Sequence, residues 1–400
     1  MKNSFLFRLK KKKRMLDLLI IGGGPAGLYT ALRLAHRFPK IVVYERSARL
    51  GGRTKMIRLS PSDIRATCGA GVVRSHDRLL RELCRRLDIP LEFHPSRIVT
   101  PDNRSIPKER VFSIVDRLKD RYARSDDPSL RHRIDFRTFC GPDDYKRLVR
   151  WCGYSDFGRA DARDTLYLYR FSDCTDELRS SRIDWDLLIE RMAQRLREMD
   201  VRIRCRSEVN RVERRGDHFR CEINGRWVST RRVVIATTVR DYRIFPDDDF
   251  LRLAGNIGSQ PFLRLYARLT DPFPIRGMVY VDTPYQKMYS LSQNHYCLSY
   301  SDNENAEIVR KKTTEEIRSD VARIFGRPFP SIEKMWRCYH AVGTHYFRPL
   351  PSEFTSRRQF VEEIQIPCPG VYVVGEAVAF DQGWTEGALR SVDRIVDRIV

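Results

Sequence analysis

A glycine-rich turn near the N-terminus has the spacing of a phosphate-binding site. Gly22, Gly24 and Gly27 form a G-x-G-x-x-G pattern between the apolar run 16–21, which predicts a buried parallel strand, and the amphipathic segment 26–38, which predicts a helix. In this setting the first glycine permits the tight turn and the second lets a pyrophosphate approach the backbone. The third lets helix and strand pack closely, with the phosphates at the positive N-terminus of the helix. The pattern therefore predicts a bound dinucleotide.

A second predicted strand supplies a hydrogen-bond acceptor for that ligand. It covers 41–44 and ends at Glu45, about 20 residues beyond the glycines, where a ribose hydroxyl needs an acceptor. Gly51 and Gly52 then permit a second close approach of the backbone to the ligand. Arg53 follows, and it either contacts the ligand or is a surface arginine in an ordinary glycine turn.

Two blocks of sequence, one near each end of the chain, resemble the flavin-containing amine oxidase family, whose members include monoamine and polyamine oxidases. The N-terminal block is 22–28 followed by 45–46 and 50–53, and the C-terminal block is 375–377 followed by 382–389. The resemblance implies an α/β fold in which a Rossmann-like FAD-binding domain carries an inserted α+β substrate domain. It also implies a set of FAD contacts: Gly22, Gly24, Pro25, Ala26, Gly27, Glu45, Arg46, Gly52, Arg53, Gly71, Val72, Val209, Gly375, Glu376, Thr385 and Ala388.

The resemblance further implies two catalytic candidates, Arg264 and Trp384. Arg264 occupies the position where active family members commonly carry a lysine that holds a water against the flavin N5. Arginine is planar and always protonated, so Arg264 either binds an acidic substrate group, stabilises reduced flavin, or lies on the solvent side of a strand whose register differs. Trp384 matches one half of the family's aromatic cage. The other half, and the cysteine that some members attach to flavin, correspond to Gly343 and Val342, which predicts half a cage and non-covalent FAD.

The predicted activity is hydride transfer from a C–N or C–C bond of a small molecule to flavin N5, with O2 as the acceptor. An amine is one substrate candidate, and an acidic or neutral substrate is the other, because a cationic cavity weakens the binding of polyamines. A desaturase-type flavoprotein is a further alternative. So is an FAD-binding protein of reduced activity with a nucleic-acid-binding or structural role. No metal site is predicted.

Composition leaves the choice of partner open. Lys and Arg number 74 against 52 Asp and Glu, and the net charge of +22 favours nucleic acid, phosphates or acidic surfaces, or is a solvated basic surface. The run 10–14 is either a nucleic-acid contact, a nuclear address or a solvated tail. Ten cysteines without a C-x-x-C pair, no signal peptide and no apolar run of about 20 residues predict free thiols and an intracellular protein without a transmembrane helix. The predicted compartment is the cytoplasm, with the nucleus as the alternative.

The predicted organisation alternates between two domains. Segment 76–200 is assigned to the substrate domain together with its predicted helices 74–87 and 185–199. The full division is a basic arm at 1–15, an FAD-binding domain at 16–75, 201–245 and 355–400, and a substrate domain at 76–200 and 246–354.

Overall fold

The computed structural model describes residues 15–95, 97–106, 108–124, 134–169, 171 and 179–399, so the predicted basic arm lies outside the described residues except for Met15. In chain order the strands are β1 (Leu18–Ile21), β2 (Ile41–Tyr44), β3 (Met56–Arg58), β4 (Arg65–Thr67), β5 (Val72–Arg74), β6 (His94–Pro95), β7 (Ile98–Val99), β8 (Arg179–Arg182), β9 (Arg202–Arg204), β10 (Val209–Arg215), β11 (His218–Ile223), β12 (Arg226–Thr230), β13 (Val233–Ile235), β14 (Ile257–Leu269), β15 (Met278–Tyr280), β16 (Lys287–Ser290), β17 (His295–Asp302), β18 (Ile332–Phe347) and β19 (Val371–Val373). The helices are α1 (Pro25–Leu34), α2 (Arg78–Arg86), α3 (Lys108–Arg124), α4 (Phe136–Cys140), α5 (Pro142–Cys152), α6 (Ala162–Tyr167), α7 (Trp185–Glu198), α8 (Asp248–Ala254), α9 (Asn303–Lys311), α10 (Thr314–Phe325), α11 (Arg357–Gln365) and α12 (Thr385–Ile395).

A parallel sheet of order β19-β13-β1-β2-β9 carries the glycine-rich turn. Successive side chains of β1 enter two different cores. Leu18 and Ile20 pack with helices α1, α7 and α12, whereas Leu19 and Ile21 pack with the antiparallel sheet β10-β11-β12 and with α8 and α11. Coverage of both faces explains why β1 is apolar throughout.

Helices α2 and α7 belong to this nucleotide-binding core. Leu83 of α2 and Trp185 of α7 are buried in the same cluster as Leu18. The assignment of all of 76–200 to the substrate domain is therefore wrong for these two helices, because an apolar helix face does not specify which sheet it covers. Helix α2 also begins later than the predicted helix 74–87, since β5 first pairs with β8.

A second sheet, of order β18-β14-β17-β16-β15-β7, forms the other unit. Helices α9 and α10 contribute to its main apolar core, and α3 to α6 build a separate aromatic core that meets the sheet near β15 and β17. The cysteines that the structure describes are free thiols, as predicted. Across the described part of the chain, none of the helices is apolar over a length that would cross a bilayer.

Candidate active site

A cavity of about 1020 Å³ begins at the carboxyl ends of the parallel strands and extends to the second sheet. Every predicted FAD contact except Gly27 lines it, and so does Trp384. Ligands of open α/β sheets bind at this edge, because the loops that follow the strands diverge there.

The three motif glycines have three different surroundings. Gly22 has φ +107°, and Gly27 supports α1 so closely that a Cβ there would lie 2.0 Å from the carbonyl oxygen of Gly22. At Gly24 no atom lies within 4 Å of an added Cβ. Gly24 also begins α1 without a side-chain cap, and Gly24, Pro25 and Ala26 line the cavity, so this helix N-terminus is open to a ligand. Gly22 thus has the left-handed backbone of a tight turn, Gly27 allows the close approach of helix and strand, and Gly24 leaves room for a ligand.

Glu45 stabilises the loop around the predicted adenosine end of the cavity. Its Oε2 accepts a hydrogen bond from the Gly23 backbone at 2.8 Å, and its Oε1 accepts from the backbone of Ser47 at 2.8 Å. Arg46 pairs with Asp241 at 3.0 Å. Glu45 lines the cavity, so its ribose contact stays a prediction beside this structural role.

Glu376 connects the loops that face the predicted flavin. Its Oε1 accepts from the backbone N–H groups of His345 at 2.9 Å and Gly383 at 2.6 Å, and its Oε2 accepts from His345 Nδ1 at 2.6 Å and Arg53 Nη1 at 2.8 Å. Burial opposes ionisation, but the neighbouring His345 and Arg53 outweigh it and hold the pKa of Glu376 well below its usual range. Four accepted hydrogen bonds occupy all the acceptor sites of a carboxylate. Glu376 therefore holds Arg53 and the Gly383 loop in place, and since it also lines the cavity, its contact with FAD stays a prediction.

The residues fit a dinucleotide joined to a ring system. Two helices, α1 and α12, begin at the cavity without side-chain caps, so both offer N–H groups and positive dipole ends to negatively charged groups. Backbone without side chains lines the wall at Gly24, Gly52 and Gly71. The cavity is thus shaped for FAD at its nucleotide end.

Arg264 is buried behind the cavity wall rather than exposed to solvent, with 3% of its surface accessible. Its Nη2 would lie 2.6 Å from a Cβ on Gly71, its Nη1 donates to the Tyr289 hydroxyl at 3.1 Å, and its guanidinium carbon lies 4.1 Å from the ring centre of Tyr300. Its Nε and Nη2 have no hydrogen-bond partner among the described residues. The alternative in which Arg264 faces solvent is therefore wrong. Arg264 also does not line the cavity, so its side chain is not positioned to contact an acidic substrate directly.

The absence of a second cage residue at position 343 has a steric cause. A Cβ on Gly343 would lie 2.2 Å from the Cβ of Phe262, so β18 passes too close to β14 for a side chain. Phe262 lines the cavity instead, and its ring meets that of Tyr300 edge to face at 5.2 Å. On the other side, Arg74 stacks on Trp384 at 3.8 Å. The cavity therefore has aromatic walls from residues that the motifs did not indicate.

These residues line one end of the cavity, which we call the chamber: Tyr154, Asp156, Tyr169, Phe262, Tyr300 and Asp302. Asp302 accepts from the Ser155 backbone at 3.0 Å, and Asp156 accepts from the Tyr169 hydroxyl at 2.7 Å. Burial and the nearby Asp302 raise the pKa of Asp156 to about 7. Sequence reasoning missed both carboxylates, because they lie in different domain segments and no local motif marks them.

Comparisons with known proteins agree with this architecture. The chain matches the model of the family described as flavin containing amine oxidoreductase over residues 25–400. Wild-type putrescine oxidase bound to putrescine has a similar structure, with TM-score 0.77 and 15% identity over 96% of this chain and 99% of that chain. A protein from Exiguobacterium described as a candidate protoporphyrinogen oxidase gives TM-score 0.71 and 15% identity over 96% and 99%. At such identities the structures support the fold alone.

The curated relatives match shorter segments. FAD-dependent oxidoreductase oblC of Cochliobolus heterostrophus is 37% identical over 84 residues, which are 20% of this chain and 17% of that protein. An uncharacterised protein of Acanthamoeba polyphaga mimivirus is 33% identical over 101 residues, which are 24% of this chain and 19% of that protein. The match thus spans less than a fifth of either relative.

Proposed function

Because the chain belongs to the family of flavin-containing amine oxidoreductases, we propose that it oxidises an organic amine with FAD as its cofactor. Bound FAD would supply two-electron redox chemistry, with the C–H bond on the carbon next to the substrate nitrogen as the proposed hydride source, so that the C–N bond is oxidised to an imine, and O2 as the proposed final acceptor. The protein's own contribution is to hold the cofactor, enclose the substrate and set the local charge.

The proposed FAD contacts fall into two groups. The N-termini of α1 and α12 provide N–H groups for negative charge on the phosphates and on the reduced ring, respectively. We assign Glu45 to the ribose and Arg53, held by Glu376, to the ring, since both side chains line the cavity. Val342 and Gly343 cannot form a thioether to flavin, which supports non-covalent attachment.

The charge of the chamber is the observation that carries the amine assignment. Its ionisable acids, Asp156 and Asp302, line the cavity, whereas the Arg264 guanidinium lies behind Gly71 and Tyr300 and the Lys287 ammonium lies over the ring of Tyr154 without lining the cavity. Carboxylates and aromatic faces both attract an organic cation. The chamber therefore favours a positively charged amine over the acidic substrate that Arg264 suggested. The bound putrescine of a structurally similar oxidase is consistent with this choice.

Two spectroscopic measurements test the proposal. The purified protein should show a flavin spectrum, and acid precipitation should release the flavin into the supernatant, as expected for non-covalent FAD. A panel of amines added without O2 should bleach the flavin, and admission of O2 should restore it. Failure of every amine to bleach bound flavin would sink the amine oxidase assignment.

Two alternative functions differ from amine oxidation. A desaturase-type activity keeps the same FAD contacts, and the fold similarity to a candidate protoporphyrinogen oxidase is consistent with it. Bleaching of the flavin by substrates in which a C–C bond can be desaturated, but not by amines, would favour that activity. A nucleic-acid role rests on net charge and on the run 10–14, which lies outside the described residues.

A further inference from the structure

Two cysteines meet beside the loop that lines the predicted flavin end of the cavity. Cys68 directly precedes residues 69–71, which line the cavity, and Cys338 lies on β18. The two side chains pack in one cluster, and the Cys338 thiol donates a hydrogen bond to the Cys68 sulfur. No local sequence pattern marks this pair, because its members come from distant segments of the chain.

The face of β18 that meets Cys68 carries a histidine beside the cysteine. Cys338 and His340 are alternate residues of a regular stretch of strand, in which residue 338 pairs with Arg264 and residue 340 with Phe262. Alternate strand residues share a face, so both side chains point to one side of the sheet. His340 Nε2 donates to the carbonyl oxygen of Cys68, and His340 also lines the cavity. Two side chains of one strand therefore hold residue 68, with its sulfur against Cys338.

The two thiols differ in exposure and in acidity. Cys338 has 3% of its surface accessible, whereas Cys68 is half-buried, so a small oxidant reaches Cys68 first. The hydrogen bond from Cys338, together with His340 and the charge of Lys55, lowers the pKa of Cys68 in spite of its burial. The same hydrogen bond and burial raise the pKa of Cys338. Because the thiolate is the nucleophilic form, Cys68 is the attacking sulfur and Cys338 is the thiol that stays protonated beside it.

Three other cysteines in the described part of the chain show the opposite behaviour. Burial raises the pKa of Cys84 and of Cys221 to about 12, and it also raises the pKa of the half-buried Cys368. Thiols in such apolar surroundings are inert. A metal site does not account for the pair either, since among the described residues no group of three acidic, histidine or cysteine side chains could hold a metal ion.

We propose that Cys68 and Cys338 form a reversible redox pair, in which hydrogen peroxide oxidises Cys68 and Cys338 converts the product to a disulfide. In the first step the Cys68 thiolate attacks one peroxide oxygen. An S–O bond forms, the O–O bond breaks, and the leaving hydroxide takes up a proton from solvent. In the second step the Cys338 sulfur attacks the sulfenic sulfur of residue 68, so that the S–S bond forms, the S–O bond breaks, and the leaving hydroxide takes the Cys338 proton. The two sulfurs lose two electrons, and the peroxide is reduced to two waters.

The disulfide would join the cavity-lining loop 69–71 to the strand that carries His340 and Gly343, and a dithiol reductant would release it. Hydrogen peroxide is also the product when O2 accepts two electrons and two protons, so the proposed oxidase would form this oxidant in the adjoining cavity. Only that source of peroxide rests on the proposed function, since the thiol pair reacts with peroxide from any origin.

Hydrogen peroxide added to the resting holoenzyme, without any amine, tests the pair directly. After alkylation of the remaining thiols, peptide mass spectrometry should identify a Cys68–Cys338 cross-link in the parent protein, and dithiothreitol should remove it. Cys368→Ser, at a half-buried thiol in the turn before β19, is the matched control and should form the same cross-link. In Cys338→Ser, dimedone should label Cys68 as the sulfenic acid, and in Cys68→Ser no sulfenic acid should form at either position.

Alkylation of the untreated parent holoenzyme requires no substitution. At pH 6 a limiting amount of iodoacetamide should modify Cys68 about tenfold or more faster than Cys368, because the gain in thiolate fraction exceeds the accompanying loss of nucleophilicity. Absence of the cross-link in the parent protein, or equal alkylation rates of Cys68 and Cys368, would overturn the redox pair. If added peroxide forms the cross-link while no amine bleaches the flavin, the redox pair stands and amine oxidation fails.

Discussion

Replacing Asp156 by asparagine should make the stability of the protein less sensitive to rising pH. Burial and Asp302 raise the pKa of Asp156 from 3.8 to about 7 in the folded protein. A raised carboxyl pKa means that the folded state holds the proton more tightly than the unfolded chain does. Below about pH 4 Asp156 is protonated in both states, so its ionisation does not lower the free energy of unfolding. As the pH rises to about 7, its ionisation destabilises the fold increasingly. Asparagine cannot ionise, so it removes this cost.

The magnitude follows from the difference between the two pKa values. About three pH units at about 1.4 kcal/mol each give about 4 kcal/mol at full effect. Because Asp156 titrates together with Asp302 and faces the cavity, we expect about half of this, or 2 kcal/mol. More than half of the effect develops between about pH 5 and pH 8, so the variant should gain at least about 1 kcal/mol over the parent protein across that interval.

Urea unfolding of the holoenzyme at saturating FAD measures this gain. The free energy of unfolding of the parent and Asp156→Asn is compared at several pH values, with Asp249→Asn, at an acid of α8 whose side chain is 92% exposed, as the control. The constant effect of the substitution cancels in the difference between pH values, which leaves the ionisation. Parallel pH profiles for the parent and Asp156→Asn would refute the reasoning, as would a variant that loses stability faster than the parent.

Two further predictions concern the FAD cradle and the buried arginine. Gly24→Ala should fold normally but bind FAD about tenfold or more weakly, since its methyl group enters open space beside α1. Gly27→Ala should instead lower the free energy of unfolding by about 1–3 kcal/mol, because its Cβ meets the Gly22 carbonyl. Flavin titration and urea unfolding separate these outcomes, and equal stability of the two variants would contradict the assignment. Arg264→Met should keep the free energy of unfolding within about 1 kcal/mol, since it removes an incompletely hydrogen-bonded buried charge, and should slow anaerobic flavin reduction about tenfold, since that charge lies against the Gly71 backbone that lines the cavity. An unchanged rate would mean that Arg264 only supports the wall.

The cofactor end of the molecule was predictable because its determinants are local. The glycine turn, Glu45 and the start of α12 each combine a backbone requirement with a fixed distance along the chain, and the structure brings them to one cavity. The role of Glu376 was less predictable. The sequence motif indicated its position. Its four hydrogen bonds, however, come from Arg53, His345 and Gly383, so only the folded structure shows that every acceptor site of the carboxylate is occupied.

By itself, the sequence determined the dinucleotide cradle, the α/β class and the absence of a cysteine at the usual flavin attachment positions. Tertiary structure alone decided which core α2 and α7 cover, on which side of the wall Arg264 lies, and that Asp156 meets Asp302. The physical reason is that backbone turns and helix starts are set by neighbours in the chain. Charge pairing and desolvation depend instead on residues far apart in sequence, here 156 and 302, whose approach only the packed strands and helices establish.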